Sequence, residues 1–241
     1  MIPAPSCFGK LPSHGDFLRI RVPQTQKYKL DQWFSTRTKN NDAASAQKSP
    51  LSHQAHSISP WCFAIQGQLL NSSRHLMAVG VIFDSKDKIG RNYPFIIYQL
   101  VPKRWLLNQL KEPNHWLKVL RDFSLLCVQK DSRQLDEMLK KLWAEYKPEW
   151  RDFFRVQTHR RIASKQRQVQ QLLSVWQPPK ADDLDISNLQ GVSNAPWLDW
   201  PQTVVSEKLG SFWWKLDNEG RYLNCIQHPQ LDKELLEKLM A

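Results

Sequence analysis

Glycine is scarce in this chain, 8 of 241 residues, and cysteine is scarcer at 4. The first shortage excludes collagen-like repeats and Gly-rich linkers. Cys7, Cys62, Cys127 and Cys225 are spread widely with no CxxC pair, which excludes a recognisable disulfide framework and suits a reducing compartment. Long apolar runs are also missing. Stretches such as Met77 to Phe83 and Phe95 to Tyr98 fall short of the roughly 18 residues that a membrane-spanning helix needs. No basic start followed by an apolar run opens the chain, so no secretory signal is expected and the cytoplasm is the expected compartment.

What is present points to a packed fold. Hydrophobic residues make up 41% and aromatics 11%, including 11 Trp, whereas disorder goes with few aromatics and little to bury. The length suits one large domain or a domain with an appended smaller half. Acidic residues are outnumbered, 23 against 34 Lys+Arg, for a formal charge of +11. More than half of that excess sits between Lys147 and Lys180, where eight Lys/Arg face only Glu149 and Asp152. A basic segment at 151–167 is compatible with nucleic-acid binding, because clustered cations neutralise phosphates. The competing reading is a solvated helical face, since Val169, Leu172, Leu173 and Trp176 recur at helical spacing.

Strands are expected at Trp61–Ile65, Leu76–Phe83 and Pro94–Val101, from their Val, Ile, Phe and Tyr content. The near-continuous apolar character of the last two implies a sheet covered on both faces. Helices are expected at Leu30–Phe34, after Pro102, after Asn114, over Asp131–Tyr146 and over Leu231–Met240, from apolar steps of three and four. Asp217-Asn218-Glu219-Gly220 marks a hairpin between Ser211–Leu216 and Arg221–Ile226. The polar stretch 36–59 reads as a long, loosely structured insertion. Together these predict an α/β fold, a three-layer α/β/α sandwich around a mixed β-sheet.

Chemical motifs are few. Gly9-Lys10 lacks the upstream glycine and the following Ser or Thr of a phosphate-binding loop, since Ala4 and Leu11 stand there. His53 and His56 have metal-ligand spacing but no third ligand nearby. No GxSxG elbow occurs, and the scattered cysteines read as small hydrophobes. Ser13-His14-Gly15-Asp16 holds the residue types of a hydrolytic triad, yet such groups converge from separated parts of a fold rather than from neighbours. No catalytic residue, metal or cofactor is expected.

Two phrases remain. The first is Phe8-Gly9-Lys10-Leu11-Pro12-Ser13-His14-Gly15-Asp16-Phe17, followed by Arg19, Arg21 and Pro23. The second is Gly80-Val81-Ile82-Phe83, then Asp84, Asp87 and Ile89-Gly90-Arg91-Asn92-Tyr93-Pro94-Phe95. In order and spacing they resemble the TagF (ImpM) family of type VI secretion-associated proteins, whose phrases take the forms GKLPxxGDF and xSxDxVGRxFPL. Aromatic landmarks at Trp33, Pro60-Trp61-Cys62-Phe63 and Phe212-Trp213-Trp214 extend the likeness over most of the chain. The stretch 36–59 departs from the family, whose members usually carry a helical segment there. Some members are fused to a phosphatase domain; this chain reads as a stand-alone version, a single TagF-like domain over 1–241.

The resemblance implies a non-catalytic, post-translational repressor of type VI secretion that sequesters the apparatus's forkhead-associated scaffold protein, with no cofactor. A basic nucleic-acid-binding protein is the second-ranked alternative. The implied motif residues are Gly9, Lys10, Leu11, Pro12, Gly15, Asp16, Phe17, Gly90, Arg91 and Pro94. Gly9, Gly15 and Gly90 are read as permitting turns or close backbone approach, and Pro12 and Pro94 as fixing local geometry. Asp16 is expected to pair with Arg91 or Arg19. Candidate partner contacts are Lys10, Arg19, Arg91, Arg160, Arg161, Trp213 and Trp214. Because Trp213 and Trp214 alternate along a strand, one should face the core, leaving the other as a contact or a second buried anchor.

Overall fold

The structure is a computed structural model and describes residues 2–44, 60–86, 92–110, 116–127, 130–147, 168, 173, 202–205, 210–217 and 222–240. Its centre is the apolar pair predicted from sequence. Strands β4 (Leu76–Lys86) and β5 (Asn92–Pro102) pair over their whole length, from Leu76 opposite Pro102 to Lys86 opposite Asn92. On one flank β5 takes β1 (Ser6–Gly9), which takes β2 (Leu18–Ile20). On the other, β4 takes β3 (Trp61–Gln66), then β6 (Ser211–Leu216) and β7 (Tyr222–His228). The order is β2-β1-β5-β4-β3-β6-β7.

All six pairings are antiparallel, which corrects the expected mixed sheet. The physical reason is plain. A continuous apolar run reports that both faces of a strand are covered, and it carries no information about the direction of its neighbours. The two covered faces are real. Cys62, Ala64, Val79, Val81, Phe95, Ile97, Phe212 and Trp214 belong to one buried cluster, and Phe63, Ile65, Ala78, Ile82, Ile96, Tyr98 and Trp213 to another.

Each cluster draws in its own helices. The first includes residues of α2 (Lys103–Leu110), α3 (Trp116–Cys127) and α4 (Ser132–Tyr146). The second includes residues of α1 (Gln24–Ala44) and α5 (Lys233–Leu239). Helix α2 begins directly after Pro102, as expected. Asp131 caps α4, its carboxylate accepting from Gln134 N at 2.8 Å, one of the orphan donors at a helix start. Asp232 does the same for α5 through Leu235 N at 3.0 Å.

Helix α1 is much longer than the Leu30–Phe34 segment read from its apolar residues. It runs from Gln24 to Ala44 and so converts the first nine residues of the expected loose insertion into helix. Leu30, Trp33 and Phe34 anchor it to the sheet. Beyond them the apolar pattern stops but the helix continues, because extending a nucleated helix gains one hydrogen bond per residue. Residues 45–59 of that insertion lie outside the described residues.

Buried polar groups join these layers. Gln99 on β5 donates to the Pro3 carbonyl and accepts from Trp116 Nε1 at 2.7 Å. Gln109 accepts from Trp116 N at 3.2 Å and from the Tyr146 hydroxyl at 2.6 Å. On the opposite face the Tyr98 hydroxyl donates to Gln26 of α1 at 2.6 Å. Paired in this way, such groups avoid the cost of an unmet buried hydrogen bond and fix which helix sits where.

Candidate functional site

The two sequence phrases, some 80 residues apart, meet at one end of the sheet. Gly9 of β1 lies opposite Phe95 of β5 with φ of +135°. A Cβ there would overlap the Pro94 carbonyl and stand 2.8 Å from Phe95 Cα. Gly9 is therefore required both by its backbone and by close approach. Buried Pro94 supplies the backbone that Gly9 packs against. Leu11, 1% exposed, fills the first cluster.

The remainder of the first phrase faces outward. Residues 11 to 14 turn through His14 N bonded to Leu11 O at 2.9 Å. The Ser13 hydroxyl donates to Lys130 O at 2.7 Å, which ties the loop to the residues before α4. That bond commits Ser13 to a backbone carbonyl rather than to the neighbouring imidazole. Pro12, Ser13, Gly15, Asp16 and Phe17 are exposed. Nothing lies within 4 Å of a Cβ built at Gly15; the chain bends there, so of the two roles expected for this glycine the turn remains and the close approach does not.

Phe17 is 44% exposed and packs its inner side on Phe8 (ring centroids 5.9 Å) and edge-on to Tyr93 (4.8 Å). The Lys10 ammonium stands 4.9 Å from the Phe17 ring centroid and 5.6 Å from that of Tyr93. Contacts of this kind contribute about 0.5–1 kcal/mol each at exposed positions. Burial raises the Tyr93 hydroxyl above its ordinary pKa, and the Asp31 carboxylate raises it further, so that hydroxyl stays neutral.

Arg19 lies two residues beyond Phe17, in β2. Its guanidinium donates to Val22 O and to Gln24 Oε1 of α1, both at 2.8 Å. The expected Asp16–Arg19 ion pair is not formed. Arg21 follows β2 with a left-handed φ of +55°, which ends the strand alternation; its guanidinium donates to Pro5 O at 2.7 Å and pairs with Asp136 of α4, tying the end of β2 to that helix. Partial burial works to raise the Asp136 carboxyl, but hydrogen bonds from Lys140 and Arg21 outweigh it and hold the group below its ordinary value.

A carboxyl whose folded pKa is depressed stabilises the fold above its unfolded pKa, and loses that contribution as pH falls through the folded value. Asp136→Asn is therefore expected to destabilise at pH 7 and to match the wild type in strong acid, below the depressed folded pKa. Urea unfolding at both pH values checks this, and an equal penalty at both would refute the linkage.

The other predicted residues fall elsewhere. Gly90, Arg91, Arg160 and Arg161 lie outside the described residues, as does the 151–167 segment of the nucleic-acid alternative. Trp213 and Trp214 are each 0% exposed, on opposite faces of β6; of the two outcomes expected for the pair this is a second buried anchor, and neither ring stands at the surface as a partner contact. Sequence reasoning missed Tyr28 of α1, which is 65% exposed. Its signal was available, since Tyr28 falls off the face defined by Leu30, Trp33 and Phe34.

Cys7, Cys62 and Cys127 are fully buried, and burial pushes their thiols well above the ordinary value; Cys225 is pushed up to about 12. None is poised as a thiolate. Among the described residues no group of three or more His, Cys, Asp or Glu could hold a metal ion, and no helix is long and apolar enough to cross a membrane.

Residues 6–142, which include both phrases and run into α4, match the family model of the TagF N-terminal domain, type VI secretion system-associated. The chain belongs to the TagF family. It is thus a type VI secretion system-associated protein, and the junction of its two phrases is a feature of a TagF domain. The crystal structure of PA0076 from Pseudomonas aeruginosa PAO1 is similar to it over 94% of this chain and 88% of that chain, at 19% identity and a TM-score of 0.37. Comparison with curated proteins gives no match.

Proposed function

We propose that this TagF protein is a non-catalytic, cytoplasmic, post-translational repressor that binds and sequesters the forkhead-associated scaffold protein of the secretion apparatus. The observation that carries this reading is the division of labour within the first phrase. Gly9 and Leu11 hold the β1–β5 junction, while Pro12, Gly15, Asp16 and Phe17 are presented to solvent. A half-exposed aromatic ring beside a cation is the composition of a protein-binding anchor.

The chemistry of these side chains favours binding over catalysis. The Ser13 hydroxyl is engaged by a main-chain carbonyl, and the thiols are held protonated by burial. No cofactor or membrane insertion enters the reading. It takes the chain as one domain over 1–241, three layers deep, with helices on both faces of the sheet.

Deletion of the protein is expected to raise secretion through the type VI apparatus, and affinity purification at native level is expected to recover the forkhead-associated scaffold. Unchanged secretion together with an empty pull-down would sink the proposal.

A further inference from the structure

Two large hydrophobic side chains stand exposed among the described residues, Phe17 at 44% and Tyr28 at 65%, and they flank one continuous surface. Phe17 rests on Phe8 and Tyr93, members of the cluster that α1 covers, and Arg19 is bonded to Gln24 of the same helix. Tyr28 lies one turn further along α1 from Gln24, where side chains four apart are neighbours. On the next row of α1, Lys27 pairs with Asp31 at 2.6 Å. Three residues beyond Asp31, Phe34 packs edge-on to Tyr93 (ring centroids 5.8 Å), against which Phe17 also packs edge-on. The surface therefore runs from Lys10 and Phe17 across Lys27 and Asp31 to Arg19, Gln24 and Tyr28. Among the described residues its cations, Lys10, Arg19 and Lys27, outnumber its carboxylates, Asp16 and Asp31.

The geometry points to this surface as the docking site for an acidic protein partner that takes Phe17 and Tyr28 as paired aromatic anchors and meets Arg19 with a carboxylate. Charge complementarity selects the occupant. Burying two aromatic rings here removes the surrounding cations from water, which is unfavourable unless the partner returns negative charge. Two hydrogen bonds fix Arg19 without using all the donors of its guanidinium fork, and that fork suits a carboxylate. A second copy of this chain, itself at +11, brings positive charge instead. The inference rests on the scaffold reading above and adds to it the first turns of α1, which neither sequence phrase includes.

The test is titration of purified full-length chain against purified forkhead-associated scaffold at two salt concentrations. Tyr28→Ala and Arg19→Glu are the probes, with Gln134→Ala, exposed on α4 away from α1, as the control. Tyr28 is exposed enough that its truncation should leave folding intact, whereas Phe17→Ala also loses the stack on Phe8. Each probe is expected to weaken binding about tenfold or more, Gln134→Ala to leave it unchanged, and added salt to weaken the wild type more than Arg19→Glu. Wild-type binding that both probes leave intact would overturn this surface while the scaffold reading stands. No wild-type binding would overturn that reading and this inference with it. Self-association of the wild type broken by Tyr28→Ala would assign the surface to a second copy and refute the acidic partner.

Discussion

Gly80→Ala is expected to abolish accumulation of folded protein at ordinary growth temperature, or at least to lower stability by about 3 kcal/mol, at the upper end of the cost of overpacking a tight core. Gly80 sits in the middle of β4 opposite Tyr98 of β5. A Cβ there would penetrate the Ile97 carbonyl and stand 2.7 Å from Tyr98 Cα. Both obstacles are backbone, so no side chain can swing aside. Relief requires separating the two longest strands of the sheet, between which both buried clusters are built. Gly15→Ala is the matched comparison, with open space around its Cβ, and should change stability by less than about 0.5 kcal/mol. Soluble yield and urea midpoints of the two variants decide the matter. Equal behaviour would show that β4 and β5 are not packed as closely as described.

Where the sequence was legible, one physical signal dominated each position. Val79 to Phe83 and Phe95 to Tyr98 announced strands covered on both faces because nothing polar interrupts them. Leu135, Leu139, Leu142 and Trp143 announced α4 through steps of three and four, but Asp131 and Ser132 were both available as its cap, and only the structure assigns that role to Asp131. Pairing direction was not legible, since apolar content is the same for parallel and antiparallel neighbours. Helix α1 was read too short because the apolar pattern reports contact with the sheet, and the helix outlasts that contact after Phe34. The site was half legible. Its two phrases could be quoted, but their meeting depends on β1 adding to the outer side of β5, a long-range pairing that no local pattern encodes. Tyr28 belongs to neither phrase and is visible only as a break in the amphipathic face of α1.

Trp213→Ala is expected to cost about 3–5 kcal/mol of stability, the range for truncating a large aromatic in a closed core, and, under the proposed scaffold binding, to leave the affinity of the remaining folded protein unchanged. The ring is 0% exposed and packs between Phe63 of β3 (centroids 5.0 Å) and Trp33 of α1 (5.7 Å). Its Nε1 donates to the Ser211 hydroxyl at 2.9 Å, and that hydroxyl donates to His228 O at 2.7 Å across to β7. Trp33 donates to Asp232 O at 2.8 Å, at the cap of α5. Removing the indole thus opens a cavity where α1, the sheet and the carboxyl-terminal helix converge, and neither Phe63 nor Trp33 can close it without giving up its own contacts. A surface anchor behaves oppositely, since its truncation spares stability and removes binding. Urea unfolding combined with scaffold titration therefore separates the two roles. A Trp213→Ala protein that is as stable as wild type but blind to the scaffold would restore the contact role that burial takes away.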